Sequence, residues 1–222
     1  MRAAVVRESG GPEAIEIVDV ATPEPGPGEV LVKVAAASVN FADVMVRTGL
    51  KVALEPGEWL LVSGAAGGVG LFTVELARLR GLNVIAQAGP ADEKLVREAG
   101  ARLFVSRDDD LVPTVRRLVP GGVDGAVDAA NLAAGAADAV RHGGVFVSLL
   151  NSAPMARRQV RMINMAWHTD AGRLAKLAAY AGAGLISLRV ARTYSLEQIA
   201  DAHRALAEGG LRGRIVLVPD HR

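Results

Sequence analysis

The sequence contains no cysteine. That excludes disulfides, thiolate metal sites and a cysteine nucleophile. Aromatic residues make up only 4% of the chain, which argues against base-stacking platforms and sugar-binding aromatic clefts. Charge of one sign is also lacking. The formal net charge is +1, so no strong field draws the protein to nucleic acid or anionic lipid. The densest basic cluster, Arg157, Arg158 and Arg161, is short and reads as a solvated face. No window approaches the ~18 uninterrupted apolar residues of a membrane helix. The opening MRAAVVRESGG has no apolar signal stretch behind a basic head. The expectation is a cytoplasmic protein with neither nucleic acid nor membrane as partner.

What the sequence does have is alanine, valine, leucine and glycine. Half of its 222 residues are hydrophobic, enough for one large core or for a medium core plus a smaller lobe. Residues 2–7, 14–20 and 29–37 read as short strands, the last two joined by the turn-rich ATPEPGPGE. Residues 40–47 read as a short helix opened by Asn40. Near Glu55 the pattern changes. WLLVS is a continuous apolar run, and after a glycine loop the helix VELARLRG closes at Gly81. NVIAQA, LFVS, GAVDAA and VFVSLL are further strands, alternating with helices at 91–99, LVPTVRRLV and LAAGAADAVRHG. Residues 159–165 supply a sixth strand and 170–183 an Ala/Leu-rich helix. Strands without polar alternation are buried on both faces, as in a parallel sheet covered by helices. After Gly184 come the strand SLRVARTY, the helix SLEQIADAHRALAEGG and the strand GRIVLVP. Ser195 and Gln198 form a capping box at that helix start. The expected fold is α/β: a doubly wound, six-stranded parallel sheet with a small β-rich lobe.

The strongest candidate site is WLLVSGAAGGVGLFTVELARLRG. A buried strand runs into Gly64-Ala65-Ala66-Gly67-Gly68-Val69-Gly70, and a helix follows at once. Glycines let the backbone turn sharply and let a pyrophosphate approach the main chain. The helix N-terminus then supplies unpaired N–H donors and the positive end of its dipole. A glycine-rich turn without ligand is the plainer alternative, but strand, loop and helix together are what a dinucleotide motif requires. In G-x-G-x-x-G register the first position is Ala65, followed by Gly67 and Gly70. No Gly-Lys and no Ser/Thr follows, so this is not a nucleoside-triphosphatase loop. About 20 residues past the glycines, where a NAD-binding fold carries an acid for the ribose, stand Gln87, Ala88 and Gly89. The missing acid removes a repulsion against a 2′-phosphate and favours NADPH over NADH. Lys94 either pairs with that phosphate or is a surface lysine.

Other groups carry less chemistry. His142, His168, His203 and His221 lack metal-ligand spacing. His142 is placed in a helix C-terminal turn, His203 reads as structural, and His168 is the one histidine considered near a substrate. Asp108, Asp109 and Asp110 read as a solvated loop. Asp124 and Asp128 flank a strand, and turn and ribose-side roles are both open.

Several segments share one resemblance: PGEVLVKVAAASVNFADVMVRTG, PGEWLLVSGAAGGVG, VREAGA, GVDGAVDAA, HGGVFVSL and YSLEQIADAHRALAEGGLRGRIVLVP. In order and content the chain resembles the zinc-independent quinone oxidoreductase and enoyl reductase branch of the medium-chain dehydrogenase/reductase superfamily. The resemblance implies a Rossmann domain at 51–185 and a GroES-like substrate lobe built from 1–50 and 186–222. It implies hydride transfer from NADPH to a quinone or an enone, without zinc. It places Asn40 at the nicotinamide, where zinc-dependent relatives carry a cysteine, and matches Asp43 and Arg47 to the same motif. The implied cofactor-binding set is Ala65, Ala66, Gly67, Gly68, Val69, Gln87, Ala88, Gly89, Lys94 and Leu149. One departure is large: Thr48-Gly49-Leu50 passes almost directly to Pro56-Gly57, where the family carries the rest of its substrate domain. A lobe cut short in this way leaves sheet edges open and points to a homodimer. It also leaves an alternative function: a dinucleotide-binding sensor or partner subunit without turnover.

Overall fold

The computed structural model describes residues 1–6, 15–39, 54–165 and 171–219. The chain divides into two compact units, one of Met1–Phe41 with Arg189–Arg222 and the other of Ala42–Leu188. The elements begin with β1 (Arg2–Val6), β2 (Ile15–Asp19) and β3 (Ala37–Val39). Next come β4 (Trp59–Ser63), α1 (Gly68–Leu79), β5 (Asn83–Ala88), a 3-10 turn at Pro90–Asp92, α2 (Glu93–Glu98) and β6 (Leu103–Ser106). They continue with α3 (Leu111–Leu118), β7 (Val123–Asp128), α4 (Ala134–Ala137), β8 (Val140–Ser148), β9 (Arg161–Asn164) and α5 (Ala171–Gly182). The last are β10 (Val190–Ser195), a 3-10 turn at Leu196–Gln198, α6 (Ile199–Glu208) and β11 (Arg214–Val218).

In the larger unit six strands form one sheet in the order β6-β5-β4-β7-β8-β9. Every neighbouring pair is parallel. This is the doubly wound α/β Rossmann arrangement, with the order reversing between β4 and β7. The period-2 geometry of a strand sends alternate residues to opposite faces. Leu60, Val62, Val84 and Val127 therefore bury on one face with Leu71 and Val74 of α1 and Val96 of α2. Leu61, Ile85, Ala126 and Phe146 bury on the other with Val115 of α3 and Ala136 of α4. Apolar runs without polar alternation are thus explained by two covered faces.

The stretch LAAGAADAVRHG departs from its expected helix. Only Ala134–Ala137 are helical, and β8 begins at Val140. Val140 is fully buried and pairs with Val123, so a β-branched residue gains more in the sheet than in a helix turn. His142 is accordingly an exposed strand residue and not a helix-terminal one.

In the smaller unit β1 and β2 pair antiparallel, and a second sheet has the order β10-β11-β3. Ile199, Ala202 and Ala205 of α6 pack on Ile215 and Leu217 of β11. The capping box at Ser195 and Gln198 is present. The strand expected over 29–37 is not: only Ala37–Val39 pair, with β11. Val30 and Val32 stay 82% and 69% exposed. Strand propensity is realised against neighbours, and among the described residues nothing pairs with 30–36.

Candidate functional site

The strand order reverses between β4 and β7, and open α/β sheets bind ligands beyond the carboxyl ends of the strands at such a reversal. The glycine turn lies there. Gly64 takes a positive φ of +64°, and a Cβ on it would press within 3.2 Å of the Ala129 carbonyl group. The tight-turn glycine is therefore Gly64, one place before the motif's first position, which leaves Ala65 free to be alanine and fully buried. Ala65 N–H donates to Gln87 O at 3.0 Å, fixing the turn to β5. Gly67 is the N-cap of α1 in extended conformation, and its N–H donates back to Gly64 O at 3.0 Å. Gly67 thus offers a ligand its bare Cα and not its amide.

The intrahelical ladder of α1 opens with Leu71 N–H donating to Gly67 O at 2.9 Å. The amides of Gly68, Val69 and Gly70 precede it and face the helix's positive end. No side chain caps this terminus and no acid lies in its first turn. Gly70 has a different function. A Cβ there would run into Gly64 O and lie 2.8 Å from Ala65 Cα and the Gly64 carbonyl carbon. Only glycine lets α1 approach the turn this closely.

A buried network underlies the turn. Ser63 and Asp128 end adjacent strands and are both fully buried. Ser63 Oγ donates to Asp128 Oδ1 at 2.6 Å and accepts from Ala129 N–H at 3.1 Å. Asp128 also accepts from the amides of Ala130, Leu132 and Ala133 at 3.2, 3.0 and 2.7 Å. Its backbone carbonyl receives Leu149 N–H at 3.2 Å. Asp128 is thus a structural organiser of the loop after β7. Asp124 stands at the opposite end of the same strand, where it accepts Trp59 N–H at 2.7 Å and Arg141 Nε at 2.6 Å. That hydrogen bond, against some desolvation, raises the Arg141 guanidinium pKa further. Asp124 therefore serves Trp59 and Arg141 at the end of the sheet away from the glycine turn.

Of the sequence-derived set, Ala65, Ala66, Gly67, Gly68 and Val69 form the turn. Gln87, Ala88 and Gly89 lie beside it at the end of β5, and Leu149 follows β8. Lys94 on α2 is 89% exposed, with Glu98 at 3.9 Å. Asn40, Asp43, Arg47, His168 and His221 lie outside the described residues. Arg158, read as part of a solvated face, instead donates to the Asp138 and Val140 carbonyls at 3.0 and 3.2 Å. Two features escaped the sequence reading. Ser63 and Asp128 meet only through strand pairing, and the Asp that closes VDGAVD was the one available sign. Arg107 was passed over beside three aspartates, yet it lies against Gly89.

Among the described residues no three His, Asp or Glu converge as a metal site, and no helix is long and apolar enough to cross a membrane.

Comparison with known proteins agrees with this architecture. An alcohol dehydrogenase of Schizosaccharomyces pombe is 26% identical over 212 residues, covering 88% of this chain and 58% of the relative. The chain thus spans little more than half of that relative's length. Among solved structures, an NAD-dependent alcohol dehydrogenase superposes with TM-score 0.85 at 23% identity, covering 98% of this chain and 99% of the other. A mycobacterial structure complexed with NADPH gives 0.83 at 21%, covering 99% and 100%. A quinone oxidoreductase of Pseudomonas syringae gives 0.86 at 17%, covering 98% and 99%. At these identities the likeness is one of fold. The zinc-binding dehydrogenase family model matches residues 99–217, more than half of the sequence, and the chain therefore belongs to the zinc-binding dehydrogenase family, within the medium-chain dehydrogenase/reductase superfamily.

Proposed function

We propose that this protein binds a nicotinamide dinucleotide, NADPH in preference to NADH, and passes its hydride to a quinone or an α,β-unsaturated carbonyl. The observation that carries the reading is the turn after β4. Its free first-turn amides, uncapped helix and glycine-only approach suit an anionic diphosphate held against main chain. The amides of Gly68 and Val69 would hold the diphosphate, with Gly67 presenting no side chain to obstruct it. Gln87, Ala88 and Gly89 would border the adenosine ribose. When bound, the dinucleotide supplies the hydride, while the protein binds, orients and excludes water. Solved neighbours support the class: one is complexed with NADPH, one is called NAD-dependent and one a quinone oxidoreductase.

The family's name carries zinc, but the residues here do not fit it. The chain has no cysteine, and its four histidines lack metal-ligand spacing. We therefore read the reaction as zinc-independent, with Asn40 serving at the nicotinamide.

A second reading has its own support. Thr48-Gly49-Leu50 passes almost directly to Pro56-Gly57 where the family carries more of its substrate domain, so a sensor or partner subunit that binds dinucleotide without turnover is the alternative. Single-turnover oxidation of bound NADPH against a panel of quinones and enones separates the two. Oxidation with a quinone supports the enzyme. Tight NADPH binding with no oxidation by any acceptor supports the subunit.

A further inference from the structure

We infer that Arg107 selects a 2′-phosphorylated dinucleotide, receiving the adenosine 2′-phosphate at the rim of β5 and β6. The inference rests on the dinucleotide reading above and names the residue that decides its specificity. Strand register gives the placement. Ser63 pairs with Gln87, and Gln87 with Val105; one residue on, Ala88 pairs with Ser106. Gly89 and Arg107 come next, side by side at the same rim. Arg107 N–H donates to Ala88 O at 2.7 Å, which fixes its backbone there. Neighbouring strands are about 4.8 Å apart, so the rim of β6 lies one strand beyond β5, on the side to which the glycine turn leads.

Gly89 stands with Gln87 and Ala88 at the place where a NAD-binding fold carries its ribose acid, about 20 residues past the glycines. Gly89 itself has no side chain, and its space is taken. A Cβ built on Gly89 would collide with the Arg107 guanidinium. The exchange replaces a carboxylate at the ribose with a cation. Asp92, nearly buried, lies 3.9 Å from the same guanidinium and positions it. At that distance one carboxylate leaves most of the five guanidinium N–H donors for a ligand, and the side chain is 61% exposed. A planar fork of donors matches a phosphate dianion. Lys94, the sequence's own candidate, is more exposed and lies toward Glu98.

The test uses the full chain and ligands that need no turnover. Binding of 2′,5′-ADP, 5′-ADP, NADPH and NADH is titrated by calorimetry for wild type, Arg107→Ala and Lys94→Ala. The wild type is expected to bind 2′,5′-ADP and NADPH more tightly than 5′-ADP and NADH. Arg107→Ala should weaken the two 2′-phosphorylated ligands by about 10- to 100-fold, the loss of charged hydrogen bonds, and leave the other two within about twofold. Lys94→Ala should weaken the 2′-phosphorylated ligands less than Arg107→Ala does, and a larger loss at Lys94 than at Arg107 overturns the assignment. A second variant, Gly89→Asp, places an acid against the guanidinium and should reverse the preference toward NADH. If Arg107→Ala weakens all four ligands equally, or none, the assignment is overturned. Tighter wild-type binding of NADH and 5′-ADP overturns it too. If the folded wild type binds none of the four, the dinucleotide reading itself fails.

Discussion

Replacing Gly70 by alanine tests whether α1 is held to the glycine turn as tightly as the geometry states. The new Cβ would lie 2.8 Å from Ala65 Cα and the Gly64 carbonyl carbon, where ordinary contact begins at 3.4 Å. The helix and the turn must separate by about 0.6 Å or more, and the offending atoms are all backbone. They cannot rotate aside, because Ala65 is tied to Gln87 and Gly67 to Gly64. Overpacking of this kind costs about 1–3 kcal/mol. Against it stands the gain of alanine over glycine in a helix, up to ~1 kcal/mol and less in a first turn. The net expectation is a loss of about 1–2 kcal/mol, which lowers the folded-to-unfolded ratio by roughly 5- to 30-fold. Urea unfolding followed by circular dichroism measures it, with NADPH fluorescence titration alongside for the displaced amides of Gly68 and Val69. Gly182→Ala is the control. It closes α5 with no heavy atom within 4 Å of the added Cβ, so it should be neutral or stabilise by up to ~1 kcal/mol. A Gly70→Ala protein as stable as wild type, with unaltered NADPH affinity, would refute the reasoning.

Gly68→Asp puts a carboxylate among the first-turn amides and should abolish NADPH binding in a folded protein; undiminished binding there would remove the turn from the site. Asp128→Ala strips Ser63 and three loop amides of their acceptor and should cost about 1–3 kcal/mol in the same urea assay, because the Ser63 hydroxyl is left fully buried while the amides are only partly so. A loss under about 1 kcal/mol would show that water replaces the carboxylate. The Glu197 carboxyl is held down to about 2 by its own backbone N–H, the Ser195 hydroxyl and Arg2. Its folded pKa is depressed, so its stabilising contribution is complete above the ordinary value of 4.5 and is lost as pH falls toward 2. A carboxyl titration by NMR should show the low midpoint, and Arg2→Ala should raise it; an unmoved midpoint removes Arg2 from the cause. The exposed run Val30, Leu31 and Val32 is expected to bring two copies together. Light scattering that gives a monomer at every concentration would count against that.

The larger unit was legible because each of its signals is local. Apolar runs of strand length, helices closed by Gly81 and Gly100, and a glycine turn between WLLVS and VELARLRG together specify a parallel sheet and its reversal point. The errors arose where local preference met a partner. VLVKV has strand chemistry but no described strand beside it, and VRHG looked helical because Val140 carries no sign that Val123 will pair with it. The site was half legible for the same reason. Glycines announce close approach from sequence alone, whereas Arg107 becomes meaningful only when β6 is set beside β5. Lys94, open in the sequence between a phosphate partner and a surface lysine, is 89% exposed with Glu98 at 3.9 Å.

The turn's shape depends on both neighbouring strands. On one side Gln87 O holds Ala65 N–H, and on the other Gly64 packs against Ala129 while Ser63 bonds to Asp128. The loop beyond Asp128 contains two non-glycine residues at positive φ, Asn131 at 60° and Ala133 at 48°. Such conformations cost about 1–3 kcal/mol each and persist only where surrounding bonds over-determine them. Here the Asp128 carboxylate supplies those bonds, accepting from the successive amides of Leu132 and Ala133. The carboxylate therefore acts at a distance from any ligand. It keeps a strained loop pressed on Gly64, and Gly64 in turn fixes where the free amides of α1 begin. An anion arriving at those amides meets donors already in place, so little of its binding energy is spent on ordering the protein. On the proposed reading the same bracing would join ribose selection to diphosphate binding, because Gln87 both anchors the turn and precedes the rim shared by Gly89 and Arg107. A change at Asp128 should therefore weaken 5′-ADP and 2′,5′-ADP alike, whereas a change at Arg107 should separate them.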